Sequence, residues 1–173
     1  QVERRSQQLM YEMRGYGFTE DEAYYTAGAG HLARAKEALE ARDLSDRYSN
    51  LAVLHRSVEE VTQSLGVYER LMGDTATLIN KMKEIRQRMD AQAKIFMENG
   101  RAYLESQESA MGKHLFQNDT AAAKDRLVKI TRASDILDQG NEVRIAAWRS
   151  QWLRDPKIIA EALPVFDKIL KAI

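Results

Sequence analysis

The sequence predicts an all-α protein in which long up-and-down helices form stacked four-helix bundles. Three observations support this fold class. Apolar residues recur at helical steps of three and four along almost the whole chain. Only 2 of the 173 residues are proline, and no segment shows the alternation of a strand. The hydrophobic fraction of 44% and the charged fraction of 30% are typical of a helical domain covered by charges.

The first two helices are predicted from one seam each. The first seam comprises Val2, Ser6, Leu9, Met13 and Tyr16. The second comprises Tyr25, Gly28, Leu32, Ala35 and Leu39. We expect Gly15 and Gly17 to weaken or kink the first helix. Thr19 and Glu22 have the form of a capping box, so Thr19 is the expected N-cap of the second helix, which a turn over residues 43–46 should follow.

A much longer seam begins at Leu54 and continues to about Ala110. Gly73 with Asp74 is its one plausible interruption, so the segment is either one very long helix or two helices joined at Gly73. We favour a break, because a short turn there closes an antiparallel bundle. Residues 75–116 would still span roughly 60 Å at about 1.5 Å per residue, enough to run from one bundle into a second.

The C-terminal third predicts a long helix and a capped final helix. Residues 117–120 form a polar cap, and the helix that follows should run to about Leu153. Asp155 then caps a last helix whose first position is Pro156, where proline is tolerated. Pro164 is expected to kink this helix.

A short pattern occurs twice, 130 residues apart. Glu12-Met13-Arg14 precedes Tyr16, and Glu142-Val143-Arg144 precedes Trp148. An amphipathic helix follows each copy, so the pattern suggests two similar halves. On this interpretation the counterpart of residues 44–130 would lie beyond residue 173. We therefore expect the second half to be incomplete and neither chain end to be a natural terminus.

Composition and missing motifs exclude several classes of function. Lys+Arg and Asp+Glu both number 26, which disfavours general attraction to nucleic acid or to anionic membranes. The chain has no cysteine, and no apolar run is long enough to cross a bilayer. His31, His55 and His114 lack metal-ligand spacing, and neither a nucleophile elbow nor a glycine-rich phosphate loop occurs. We expect no metal site, no cofactor and no enzymatic activity.

Two arginines are the candidate ligand-binding residues. Arg144 and Asn141 fall on seam positions of the helix that ends near Leu153; the seam is Leu127, Ile130, Ser134, Leu137, Asn141, Arg144 and Trp148. A buried arginine needs a partner. Three interpretations stay open: Arg144 pairs with a neighbouring carboxylate, lies on the surface after a shift of register, or binds an anionic ligand.

Arg14 lies on the shoulder of its helix, one residue from the seam position Met13. Tyr11, Tyr16 and Trp148 are candidates for the walls of a pocket, and ordinary core packing is the alternative for each. An arginine fork would bind a carboxylate in such a pocket through two parallel hydrogen bonds.

These segments resemble the helical bimodular sensor domain of bacterial methyl-accepting chemotaxis receptors. Residues 11–16, Tyr-Glu-Met-Arg-Gly-Tyr, are similar to the ligand motif of the family's first helix. Residues 141–146, Asn-Glu-Val-Arg-Ile-Ala, are similar to the arginine-bearing segment that opens the second half. The resemblance covers essentially the whole chain, and the long helical arm between the two segments also fits it.

The resemblance implies one helical sensor domain over residues 1–173. Residues of about 18–108 would form a membrane-distal bundle, and residues 1–17 with 109–173 part of a membrane-proximal one. The domain would be periplasmic, dimeric and flanked by transmembrane helices outside this chain. It would bind a small organic acid through Arg14 and Arg144.

The family's first-helix motif can carry a second arginine three residues away, where this chain has Tyr11 or Gly17. A monocarboxylate, or an acid with an apolar or aromatic body, is therefore as well matched as a dicarboxylate. The alternative function is a structural or interaction bundle without a small-molecule ligand.

Overall fold

In a computed structural model, residues 1–43 and 52–172 are described, and they form helices without any strand. The all-α prediction is therefore confirmed. The helices are α1 (Val2–Thr19), α2 (Glu22–Asp43), α3 (Ala52–Phe116), α4 (Thr120–Leu153), α5 (Pro156–Ala162) and α6 (Pro164–Ala172). The chain divides into two compact units, an N-terminal unit Gln1–Ile85 and a C-terminal unit Arg86–Ile173.

The N-terminal unit is built on an α1–α2 hairpin and the first part of α3. Its buried cluster combines Leu9, Leu32, Ala35, Leu39, Leu65 and Met72. Both predicted seams supply this core, since Leu9 and Tyr16 of α1 are buried together with Leu32, Ala35 and Leu39 of α2. The helical spacing therefore identified the packed faces of α1 and α2 correctly.

The α1–α2 junction differs from the prediction in its capping residue. Asp21, not Thr19, caps α2, because its Oδ1 accepts a hydrogen bond of 2.9 Å from the backbone N–H of Ala23. Thr19 is the last residue of α1, and its hydroxyl donates to the carbonyl oxygen of Gly15 over 2.8 Å. Glu20 turns the chain in the left-handed conformation with φ 57°. A one-turn extension of α1 therefore displaced the predicted cap.

Gly15 does not end α1; it admits a neighbour instead. A Cβ added at Gly15 would lie 2.5 Å from Cδ1 of Tyr24, well inside van der Waals contact. The glycine thus allows the ring of Tyr24 on α2 to pack directly on the backbone of α1.

The predicted break at Gly73 is wrong, because α3 is a single helix of 65 residues. One glycine in a helix interior costs only about 1 kcal/mol relative to alanine, and long flanking turns absorb that cost. The hydroxyl of Thr77 also donates to the carbonyl oxygen of Gly73 over 2.9 Å. Most of the turn predicted over residues 43–46 lies outside the described residues.

The C-terminal unit consists of the last part of α3 with α4, α5 and α6. The side chain of Asp119 accepts from the N–H of Ala122, and that of Asp155 accepts from the N–H of Lys157, each over 3.0 Å. Both predicted caps are therefore confirmed. Pro164 separates α5 from α6 at the predicted position.

A small apolar cluster holds α5 and α6 against α4. It comprises the buried residues Val143, Val165 and Ile169, with Ile136 and Ile159 packed on them. This cluster covers a face of α4 that the predicted seam through Leu137 did not include. The helix therefore has two packed faces, one toward α5 and α6 and one toward α3.

Candidate functional site

In the C-terminal unit α3 and α4 run antiparallel, and side chains of each helix pack on a glycine of the other. A Cβ on Gly100 would collide with the side chain of Leu137, and a Cβ on Gly140 would collide with the ring of Phe96. Further along the pair, Nη1 of Arg126 donates to Oε1 of Gln107 over 2.8 Å. Two glycines, one on each helix, therefore leave room for a side chain of the facing helix.

An open groove of about 500 Å³ lies between α3 and α4 beside this contact. Six of its lining residues come from α3 and two from α4. They are Asp90, Ala93, Lys94, Met97, Glu98, Arg101, Asn141 and Arg144. The groove thus contains three cations, two carboxylates and one amide, and it joins two residues that the sequence predicted to bind a ligand.

The charges of the groove are only partly paired with one another. Lys94 and Glu98 form an exposed ion pair at 3.8 Å, one helical turn apart. Within the described parts of the chain, Arg101, Arg144 and Asp90 make no ion pair and no hydrogen bond through their side chains. Two guanidinium groups and one carboxylate are therefore available to a bound molecule.

The position of Arg144 excludes one of the three interpretations of the α4 seam. Residues 137, 141 and 144 share the face of α4 that looks toward α3, as the seam predicted. Arg144 is exposed, and no carboxylate among the described residues lies within salt-bridge distance of its guanidinium. Arg144 is therefore not a buried ion pair; it lies at the surface, on the side of α4 that faces α3. That it binds an anion stays a prediction.

Trp148 was expected in the same pocket, but it does not line the groove. Its side chain is 64% exposed, and its ring stacks on that of Trp152 with centroids 5.8 Å apart and planes 12° apart. The ring lies one helical turn beyond Arg144 on the same side of α4. Trp148 is therefore not a wall of this groove, and its part in a ligand site stays a prediction.

The N-terminal unit holds the other three predicted site residues. Arg14 and Tyr11 are exposed on α1, Tyr11 at 69%. Tyr16 is fully buried, its ring centroid lies 5.3 Å from that of Tyr25, and its hydroxyl donates to Glu22 over 3.2 Å. Tyr16 is thus a core residue, which was the alternative at the outset.

Burial and charge act on the tyrosines of this unit. Burial, assisted by the nearby charge of Glu22, raises the pKa of Tyr16 above its ordinary value. Burial also raises the pKa of Tyr68, and the positive charge of Arg14 opposes that shift. The guanidinium of Arg14 is therefore close enough to Tyr68 on α3 to act on it electrostatically.

Sequence reasoning missed the α3 side of the groove. Asp90, Lys94, Met97 and Arg101 follow one another at steps of four, three and four, so they share one face of α3. That spacing was readable in the sequence. What the sequence did not supply was the pairing of this face with the α4 residues Asn141 and Arg144.

The described residues include no group of three or more His, Asp or Glu side chains that is arranged to hold a metal ion. In the same ranges, no helix is long and apolar enough to cross a membrane.

No family model, no curated protein and no solved structure matches this chain.

Proposed function

We propose that this chain is an extracytoplasmic ligand-binding domain of a transmembrane chemoreceptor and that it binds a small organic acid. In this proposal it belongs to a periplasmic, dimeric sensor built from stacked four-helix bundles, with its transmembrane helices outside the chain. The supporting features are the all-α fold, the resemblance of residues 11–16 and 141–146 to sensor motifs, and the groove on α4.

One observation carries the proposal: Arg144 faces the groove beside Asn141 without a carboxylate partner among the described residues. Surface arginines on helices commonly pair with a carboxylate one turn away, so an unpaired arginine at a groove is a candidate anion site. A guanidinium fork and an amide donor together match the oxygens of a carboxylate. Arg101 adds a second unpaired cation on α3.

Signalling follows from binding only if the two receptor states differ in affinity for the acid. The groove lies between two helices that touch through glycines, so an occupant would bear on the spacing of α3 and α4. Displacements of one to two ångströms between packed helices are enough to shift a receptor between states.

Titration calorimetry with acetate, succinate and benzoate tests the proposal. We expect at least one acid to bind and Arg144→Ala to weaken that binding about ten-fold, since a hydrogen-bonded charge pair is worth about 1.5–3 kcal/mol. Arg132→Ala is the matched control, because Arg132 is exposed on the same helix and lies outside the groove. Absence of binding, or an equal loss in both variants, would count against the proposal.

Arg14 remains a proposed ligand residue of the N-terminal unit. Its guanidinium is exposed on α1 and so is accessible to a ligand. The Arg14→Ala variant in the same titrations gives its contribution separately from that of Arg144.

A structural or interaction bundle is the second candidate function, and one observation favours it. Leu71, Leu78 and Ile85 recur every seven residues on α3 and are 53%, 61% and 44% exposed. A seven-residue apolar repeat is typical of a helix that packs against another helix. If this function is the right one, Leu78→Gln should reduce self-association in sedimentation experiments, and the protein should bind none of the acids.

A further inference from the structure

The groove is charged with both signs, and that mixture restricts its ligand further. An unpaired carboxylate near the site repels a simple acid and weakens its binding, whereas it attracts a ligand that also carries a positive charge. Here Asp90 lines the same cavity as Arg101 and Arg144 and has no pairing partner among the described residues. The site therefore offers an unpaired negative charge as well as unpaired positive ones.

The helix register places Asp90 and Arg144 at the same end of the groove. Phe96 meets Gly140 and Leu137 meets Gly100, so a step along α4 matches an equal step back along α3. Arg144 lies four residues after Gly140 on α4. In this antiparallel pairing it is opposite the turn of α3 that follows Asp90. Arg101 lies roughly 16 Å further along α3, at about 1.5 Å per residue. Asp90 is therefore the carboxylate within reach of a small molecule bound to Arg144.

We propose that the ligand of this groove is a zwitterionic amino acid. Its carboxylate binds Arg144 with help from the amide of Asn141, and its ammonium group binds Asp90. Ala93 and Met97, which also line the cavity, contact its carbon skeleton. This inference rests on the proposed function and narrows it from organic acids in general to acids that also carry an ammonium group.

Calorimetry with matched ligand pairs tests the inference. The pairs are L-leucine with 4-methylpentanoate, L-phenylalanine with 3-phenylpropanoate, and L-glutamate with glutarate, each differing by the ammonium group alone. We expect at least one amino acid to bind about five-fold more tightly than its partner, the size expected for an ion pair in an open groove. Asp90→Asn should bring that ratio close to one without weakening the binding of the partner acid.

Asp135→Asn is the matched control, since Asp135 is an exposed carboxylate of α4 outside the groove. The preference for the amino acid should survive in this variant. If the acids bind in an Arg144-dependent manner but without preference for the amino acid, the inference is overturned and the proposed function stands. An ammonium preference that persists in Asp90→Asn also overturns it. If no compound binds, the proposed function itself fails.

Discussion

The two units of the molecule bury different kinds of side chain. The N-terminal unit packs large apolar residues such as Leu9, Leu32 and Leu65 into one cluster. In the C-terminal unit the contact between α3 and α4 is made where Gly100 and Gly140 receive a neighbouring side chain. The first arrangement is stabilised by the amount of apolar surface it buries, and the second by side chains that pack directly on a glycine of the facing helix.

This contrast teaches where each unit is vulnerable. A core of large side chains loses stability when a side chain is truncated, because a cavity remains. A contact at glycines loses stability when a side chain is added, because the neighbouring side chain must leave its packed position. Both tryptophans, Trp148 and Trp152, belong to the C-terminal unit, so tryptophan fluorescence reports that unit while circular dichroism reports both.

The largest effect is expected from truncation in the N-terminal core. Leu9 is 2% exposed, so Leu9→Ala should lower the free energy of unfolding by about 2–5 kcal/mol. Urea unfolding followed by circular dichroism measures the loss. Met10→Ala is the control, since Met10 is 42% exposed and should cost far less. Equal losses for the two variants would contradict the assignment of Leu9 to the core.

The next largest effect is expected where a side chain is added at a glycine of the C-terminal unit. Gly140→Ala should destabilise the C-terminal unit by about 1–3 kcal/mol, because the new methyl group meets the ring of Phe96. Gly112→Ala is matched to it, since nothing lies within 4 Å of the added Cβ on α3. There alanine should stabilise by up to about 1 kcal/mol through helix propensity. Unfolding followed by tryptophan fluorescence should show a lower free energy of unfolding for Gly140→Ala and a higher one for Gly112→Ala. A higher free energy of unfolding in both variants would refute the contact between Gly140 and Phe96.

A smaller effect concerns the buried hydroxyl of Tyr16. Tyr16→Phe removes its hydrogen bond to Glu22 and should cost about 0.5–1.5 kcal/mol. Tyr11→Phe, at a side chain that is 69% exposed, should change little. A denaturant titration of both variants measures the difference, which should vanish if the hydroxyl of Tyr16 adds nothing to stability.

The raised pKa of Tyr16 also gives this unit a dependence on alkaline pH. Above about pH 10, the ordinary pKa, the unfolded chain loses the phenolic proton while the folded chain keeps it. The unfolded state then binds fewer protons, so stability falls as pH rises. Tyr16→Phe should flatten this fall, while the slope that Tyr68 contributes remains. An unchanged slope between pH 9 and 11 would contradict the burial of this hydroxyl.

The smallest effect tests a link between helices of the N-terminal unit. Lys36 on α2 and Glu69 on α3 form an ion pair at 2.6 Å, and their side chains are 34% and 55% exposed. Because both are hydrated, a double-mutant cycle should give a coupling of about 0.2–1 kcal/mol. High salt should reduce the coupling further. A coupling well above 2 kcal/mol would show that the N-terminal unit depends on charge more than its apolar core suggests.

Local signals in the sequence predicted much of the fold. Helical spacing predicted the buried faces of α1 and α2. The capping residues Asp119 and Asp155 predicted where α4 and α5 begin. Gly73 misled, because a glycine signal indicates a turn only when the surrounding chain also favours one. The α1–α2 cap moved from Thr19 to Asp21 because two acceptable cap residues lie close together.

The sequence singled out the α4 residues of the groove but not the α3 residues. Arg144 and Asn141 stood out as polar residues on an apolar seam, which is a signal within one helix. Asp90 and Arg101 sit on a helix face that reads as ordinary solvated surface, and only the packing of α3 on α4 gives them a role. The prediction that residues 18–108 and the remainder form membrane-distal and membrane-proximal bundles stays a prediction.

Three helix ends contain residues whose backbone conformation lowers the stability of the protein. Glu20, Asn118 and Arg154 each turn the chain with φ between 53° and 58°, a conformation that costs a residue with a Cβ about 1–2 kcal/mol. Glycine at Asn118 would relieve much of that strain. Asn118 neither lines the groove nor belongs to the buried clusters described above. A more stable variant can therefore be made by substitution at a helix end, without changing any residue of the groove.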